Sequence, residues 1–502
     1  MSGRRRRPRA PSRAHPALRF TVTLLAVTLV SCGSDKEPAC DAKVPALSTQ
    51  RLTVDGTVLR DVQGREVWLR GVNTGGRSKF PPFFPFAFKE SGRPEQANAP
   101  DFESALVMYM ARVESWGHNV IRLPFSWEAV EPDKGVYDDV FLGRYERMAQ
   151  VAGQYGLRVI VDFHQDVYAR PYCGDGFPLW TCPKPVPEMP TDCAQWFMAY
   201  LGDPRFAGYG KAFDRFWANE DGLLDAFEAM WTRVATRLWK TDAVIGFEII
   251  NEPAAGTMKE EKWATEVLVP FYEQLGAVIE KAAPGALVFF DSTGLDAATQ
   301  KPKLTRPKGE RMVFAPHFYL AAAFVGGANL GKADVMPGLG RWADLRDGWK
   351  VPMVIGEFGI KASNPDAAVY LGKVFDGLDA KRLSGVAWEY SSTVDDWNVE
   401  GMSLVDKKGQ ETAGVKAIVR SYPRAAPGRI DRFEYRPDDH SAVLELTADK
   451  AGIIEIAAPR RLYPKGVVGE YDGGPACFVH DGDIVRLRTN HAGPIALSWH
   501  PR

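Results

Sequence analysis

Two glutamates in this chain stand where catalytic groups are usually mounted. GFEIINEP (246–253) is an apolar, β-branched run that ends in Glu252, and Pro253 cannot continue a strand ladder, so Glu252 falls at a strand end. VIGEFG (354–359) places Glu357 in the same way. Strand ends of one closed barrel can hold two carboxyl groups about 5–5.5 Å apart, the separation needed for double-displacement cleavage of a glycosidic bond. In that chemistry one acid attacks as a carboxylate while the other donates a proton, so the site must push two similar pKa values apart. Arg122, in NVIRLPF (119–125), and Tyr319, in MVFAPHFY (312–319), are candidates to hydrogen-bond Glu357 and keep it charged as the nucleophile. Glu252 is then the acid of the first step and the base of the second. Asn251, adjacent to it, is placed to bond the sugar 2-hydroxyl. The competing reading for both glutamates is a structural acid inside a barrel.

The elements that must position these residues follow one rhythm. Eight short apolar strands (67–73, 119–125, 158–164, 244–252, 286–291, 312–319, 352–358 and 385–390) alternate with helical patterns such as SALVMYMARVESWG and LLDAFEAMWTRVATRLWK. Eight βα repeats predict an α/β fold, a (β/α)8 TIM barrel over 51–422. After PRAAPGR the pattern becomes short alternating strands without helices, which predicts a small β-sandwich over 423–502 that either binds glycans or covers a barrel face, the latter favoured because nothing in it forms a clear aromatic platform. Glu248 has the parity of Glu252 and points into the barrel beneath it, where Arg70 or Arg122 is its natural partner. His164 and His317 fall at strand ends, where ligand contact competes with a role as satisfied core histidines. Trp388, on the last strand, suits an aromatic platform under a sugar ring.

Two loops stand out. Phe80-Pro-Pro-Phe-Phe-Pro-Phe-Ala-Phe88 cannot be a helix or a central strand, and its phenylalanines are expected either to fold inward or to form an apolar shelf for alkyl chains beside the active face. The excursion from Tyr168 to about Asp221 is far longer than an ordinary βα loop and is expected to wall the cleft.

The chain begins MSGRRRRPRAPSRAHPALRF and continues with TVTLLAVTLV, an apolar run of about ten residues, too short for a bilayer that needs ~20. Residues 1–31 are therefore expected to be a signal peptide. Leu29-Val30-Ser31-Cys32 resembles a bacterial lipobox, which makes Cys32 the expected lipidation site, residues 32–50 a tether, and the protein exported and attached to a membrane by its lipid anchor, with secretion as the alternative. With Cys32 committed, Cys40, Cys173, Cys182, Cys193 and Cys477 form an odd set, so at least one stays unpaired within the chain. Cys173, Cys182 and Cys193 crowd one segment, where a loop-stapling disulfide is favoured over zinc, which would want four ligands at tighter spacing. A formal net charge of −1 over 502 residues gives no basic footprint for a nucleic-acid partner, and a monomer is expected.

The NEP and EFG segments, the Arg of VIRLPF, the His of VDFHQD, and HFY and WEY together resemble glycoside hydrolase family five. Asp162–Asp166 with Gly174-Asp175-Gly176, Pro178 and Trp180, and PRRLYPKG in the tail, are similar to the endoglycoceramidases within it. The resemblance implies hydrolysis, with retention and without metal or cofactor, of the β-glucosidic bond between an oligosaccharide and ceramide. It implies Glu252 as acid/base, Glu357 as nucleophile, and Arg122, His164, Asp166, Asn251, His317, Tyr319, Trp388 and Lys79 as substrate-binding residues. The alternatives are the same chemistry on glucosylceramide, a galactosyl ceramide, a steryl glucoside or a β-glucan, and a lipoprotein that only binds carbohydrate.

Overall fold

The computed structural model describes residues 49–190, 192–206, 208–320, 330–392 and 400–502. The expected signal segment, Cys32, Cys40 and nearly all of the tether lie outside the described residues. Eight parallel strands form the centre: Arg70–Asn73, Val120–Phe125, Arg158–Phe163, Val244–Glu248, Leu287–Phe290, Met312–Phe314, Val354–Ile355 and Ser384–Ala387. The first six pair in chain order, the seventh pairs with the eighth, and the eighth pairs back onto the first. Single bridges Phe314↔Met353 and His317↔Glu357 join the sixth and seventh and close the ring. Every residue of these strands is buried, as expected when helices cover one face and side chains fill the other.

The helices on the outside start where acids can cap them. Asp101 accepts the Ser104 N–H ahead of Phe102–Ser115, and Asp138 accepts those of Val140 and Phe141 ahead of Asp139–Gln154. The ladders stop short of the chemistry. The fourth strand's regular ladder runs to Glu248, with the Ile249 and Asn251 N–H groups still donating to the Phe289 and Phe163 carbonyls, and the seventh's runs to Ile355, with one further bridge at Glu357, so both acids stand at the fraying ends of runs that the sequence reads as longer strands. Ile249 and Ile250 are buried there, the Ile249 hydrogen bond being 3.1 Å long.

The small β module is not built from 423–502 alone. Its seven-stranded sheet runs Thr53–Asp55, Val58–Arg60, Glu66–Val67, Tyr422–Ala426, Ile453–Ala457, Ile484–Arg488 and Val479–Asp481, so the N-terminal hairpin belongs to it and not to the barrel. A second antiparallel sheet contains Gly428–Arg436, Ser441–Ala448, Gly493–Pro501 and Val467–Tyr471. Ile430, Phe433, Leu444, Leu446 and Trp499 of the second sheet share a core with Tyr422, Ile454, Ile456 and Leu487 of the first. The other side of the first sheet meets the barrel: Leu52, Leu59, Val67 and Ala425 share an apolar cluster with Val120, Ile160, Ile245, Leu287 and Val354.

Both outlying loops are resolved into definite roles. Phe84, Phe86 and Phe88 are buried among Phe102, Tyr109 and Phe141, Phe80 and Phe83 stay half-buried, and none of the five lines the cavity, so the expectation of an alkyl shelf there is corrected. Aromatic rings gain more from edge-to-face packing in a dry core than from waiting at a water interface. The long third connection is stapled by a Cys173–Cys193 disulfide, Cys182 is free and buried, and Cys477 is disulfide-bonded. No described helix is long and apolar enough to cross a membrane.

Candidate active site

The site is organised around Arg122, which is fully buried on the second barrel strand. Its Nε and Nη2 each donate to Glu248 at 2.8 Å, Nη1 donates to Asn73 Oδ1 at 3.0 Å and to Glu357 Oε1 at 2.8 Å, and Nη2 also donates to Asn251 Oδ1 at 2.8 Å. Asp162 Oδ2 lies 3.1 Å from the same Nη2. A planar guanidinium with five donors is suited to tie four strand ends together in this way. Glu248 is thus the structural acid expected beneath the site, with Arg122 as its partner.

Glu357 receives a second hydrogen bond from the Tyr319 hydroxyl at 3.0 Å. Burial raises its pKa, while His317, Arg122 and His164 oppose the rise. Glu252 has no such guanidinium. Its backbone is left-handed, at φ 37°, held by Gln165 Nε2 donating to the Asn251 and Glu252 carbonyls and by the Glu252 N–H donating to Asp291 Oδ2 at 3.1 Å. Burial, then the nearby Asp166 charge, pushes Glu252 up to about 8. The two environments therefore separate the acids in the order that acid/base work and nucleophilic attack require. A carboxylate oxygen of Glu252, one of Glu357 and a His317 ring nitrogen all lie within 4.8 Å of one another. Gly294 leaves room for this arrangement, since a Cβ there would come 2.5 Å from Glu252 Oε2.

A second cluster forms the cleft wall. Lys79 is buried and ion-paired to Asp166 at 2.5 Å and Glu400 at 2.8 Å, with its ammonium 4.6 Å from the Trp388 ring. Trp388 donates its indole N–H to Glu400 and stacks on His164 at 5.1 Å. Burial would lower the His164 pKa, but Asp162, bonded to Nδ1 at 2.8 Å, and Asp166 raise it to about 10. Asp166 is correspondingly held below its usual range, burial being outweighed by Lys79 and His164.

These residues line a cavity of about 250 Å³. Lys79, His164, Asp166, Glu252, Tyr319, Glu357 and Trp388 reach it, whereas Arg122, Asn251 and His317 form the buried layer beneath. Both polar ends of Asn251 are engaged, Oδ1 by Arg122 and Nδ2 on the Gln165 carbonyl at 3.0 Å. The same cavity has apolar lining: Trp196, Phe197, Tyr200 and Leu201 come from the long third connection, with the Trp196 ring 5.6 Å from the Lys79 ammonium, and Leu295 and Met402 join them. Glu248, Asp291 and His317, like Glu252, His317 and Glu357, are close enough for a shared ion. The oxygens of Glu248, Glu357 and Asp291 are already committed to Arg122, Tyr319 and backbone N–H groups, and Glu252 Oε1 faces His317 Nδ1 at 2.7 Å, the pattern of a hydrogen-bonded ion-pair network rather than of a metal centre.

The family model for cellulase (glycosyl hydrolase family 5) matches residues 97–393, the span that carries the site residues from Arg122 to Trp388, with Asn73, Lys79, Glu400 and Met402 outside it. The chain belongs to glycosyl hydrolase family 5. This family-5 enzyme is 25% identical over 492 residues to Endoglycoceramidase I of Rhodococcus hoagii, covering 90% of this chain and 89% of that one. Its fold matches that of endo-glycoceramidase II from Rhodococcus sp., solved in complex with ganglioside GM3 (TM-score 0.73, 24% identity) and as a lactosyl-enzyme intermediate (0.71, 23%). Both matches cover 89% of this chain and 100% of the other. A shorter stretch of 138 residues is 37% identical to a glucosylceramidase of Aspergillus fumigatus, 26% of this chain and 18% of that one.

Sequence reasoning passed over Asn73, Asp162, Asp291 and Glu400 as site residues. The signal for Asn73 and Asp291 was present, because each closes an apolar run as Glu252 does. Glu400 lies in irregular backbone and offers no such signal.

Proposed function

We propose that the protein is a retaining endo-β-glycosidase that hydrolyses the bond between a glycan and a ceramide-like aglycone. Glu357 attacks the anomeric carbon, Glu252 protonates the leaving oxygen, and Glu252 then takes a proton from the water that releases the glycosyl ester. The observation that carries this reading is the proximity of the two carboxylates, with oxygens within 4.8 Å. An inverting enzyme leaves about 6.5–9.5 Å for an intervening water. Lys79, Asp166, His164 and Trp388 in the cavity lining suit a glycan, and the apolar lining residues from Trp196 to Leu201 suit alkyl chains. The ganglioside complex of one relative and the name of another support a glycosphingolipid as the substrate class.

The test is product analysis by thin-layer chromatography on a ganglioside and on glucosylceramide. Release of an intact oligosaccharide from the ganglioside is expected. Release of glucose from glucosylceramide alone would replace this reading with a glucosylceramidase, wild-type turnover by Glu357→Gln would remove Glu357 as the nucleophile, and binding of the glycan without turnover of any of these substrates by the wild-type protein would leave only a carbohydrate-binding role. The basic N-terminus, the short apolar run and Leu29–Cys32 support export and lipidation of the same protein at Cys32. Incorporation of a palmitate analogue that persists in Cys32→Ala would remove that part of the proposal.

A further inference from the structure

Gln165 follows the third barrel strand and is fully buried. Its Nε2 donates to the Asn251 carbonyl at 2.8 Å and to the Glu252 carbonyl at 2.9 Å, and its Oε1 accepts the Tyr168 N–H at 3.0 Å. Its own carbonyl accepts Asn251 Nδ2 at 3.0 Å. Two carbonyls require a donor and an N–H requires an acceptor, so one orientation of the amide satisfies all three partners. Among the described residues no other donor bonds to the Asn251 or Glu252 carbonyl.

The two turns that this amide joins are backbone that residues of their type rarely adopt. Glu252 has φ 37°, and Val167 and Tyr168 are left-handed in succession at φ 51° and 73°, the first of them β-branched. Such residues persist only where the surrounding structure over-determines them. The Gly174-Asp175-Gly176 segment presses on the Gln165 turn from behind. Its Asp175 N–H donates to the Asp166 carbonyl at 2.8 Å, and a Cβ would come 2.2 Å from that oxygen at Gly174 and 2.5 Å from Gln165 Cβ at Gly176.

Resting on the acid/base reading of Glu252, we propose that Gln165 is a positioning residue that sets where the Glu252 carboxyl stands relative to the sugar-binding turn at Asp166. The Asn251 and Glu252 carbonyls belong to the two peptide planes that flank the Glu252 Cα. Consecutive carbonyls point to opposite sides of an extended strand and to the same side of a helical turn, so a single NH2 that meets both selects the turn and with it the direction of the Glu252 side chain. The same amide holds the Tyr168 N–H, two residues past Asp166, so the proton donor and a sugar contact take their register from one side chain across two strand ends. Gln165 does not line the cavity, so it acts through Glu252 and not on the substrate. Glu357 is held separately, by Arg122 and Tyr319.

The test measures kcat/KM of wild type, Gln165→Met and Glu252→Gln on two β-glycosides of one glycan, one with a poor leaving group and one with a dinitrophenolate that departs without protonation. Methionine matches glutamine in length and makes none of the three side-chain hydrogen bonds. Any weakening of sugar binding at Asp166 is common to both substrates and cancels in the ratio of their kcat/KM values, whereas a displaced proton donor penalises only the poor leaving group. The expected result for Gln165→Met is a loss of about 100-fold on the poor leaving group, with the ratio shifted by about tenfold or more in the direction of Glu252→Gln. An unchanged ratio in Gln165→Met, while Glu252→Gln selectively loses the poor-leaving-group substrate, would overturn the inference and leave the acid/base reading standing. A ratio unchanged in Glu252→Gln itself would overturn both. If Gln165→Met does not fold, Gln165→Glu takes its place, since it keeps an acceptor for the Tyr168 N–H and at most one of the two donors to the carbonyls, and an unchanged ratio there overturns the inference in the same way.

Discussion

His118 and His164 are both buried, at opposite ends of the barrel, and the fold drives them in opposite directions. His118 lies where the β module closes the barrel, and burial followed by the Arg424 and Arg70 charges lowers it to about 3. His164 lies at the open end, where Asp162 and Asp166 outweigh the same burial and raise it to about 10. Desolvation favours the neutral form at both ends, so the sign of the neighbouring charges decides the outcome. The closed end gathers excess arginine around an apolar plug, and Arg158 is itself lowered to about 10 there by burial and by Arg424. The open end gathers excess carboxylate around three cations, which is what lets one acid stay protonated near neutral pH. Stability is invested at the closed end and chemistry at the open one.

The largest effect expected from disturbing this division comes from Arg122→Met. It strips the shared cation from Asp162, Glu248 and Glu357 and should destabilise by about 3–5 kcal/mol in urea titrations, with turnover abolished. At the other end, Leu59→Ala opens a cavity in the plug and should cost about 2–3 kcal/mol with kcat unchanged. A kcat that fell with it would show that the ends are coupled.

The smallest effects sharpen the comparison through pH. His164 binds its proton more tightly folded than unfolded, so its contribution is complete below its ordinary value of 6.5 and is lost as pH rises toward 10. His118 behaves oppositely: the unfolded chain takes up the proton first, and stability is lost as pH falls from 6.5 toward 3. His164→Gln should therefore flatten the alkaline side of the Tm–pH curve and His118→Gln the acid side, each by about 2 °C. Flattening on the same side for both would contradict the charge environments described above.

Much of this was legible in the sequence. The eight apolar runs marked the barrel strands because a parallel barrel buries both faces, and Glu252, Glu357, Arg122 and Tyr319 were identifiable because they sit on or end those runs. The insertion from Tyr168 was recognised by length alone as a wall of the cleft. The Phe80–Phe88 shelf failed because a proline-rich aromatic segment has the same composition whether it lines water or core, and only the facing Phe102, Tyr109 and Phe141 settle it. Asp291 ends an apolar run as Glu252 does and was passed over because its partners, the Glu252 N–H and the Tyr272 hydroxyl, come from neighbouring elements.

The order of elements, the strand ends and the pair of acids are local properties of the chain, and the residues alone determined them. Which acid is protonated, which histidine carries charge and which hairpin plugs the barrel were decided by tertiary structure. Those outcomes depend on electric fields and strand pairings between groups tens to hundreds of residues apart, such as Arg122 with Glu357 or Val67 with Ala425.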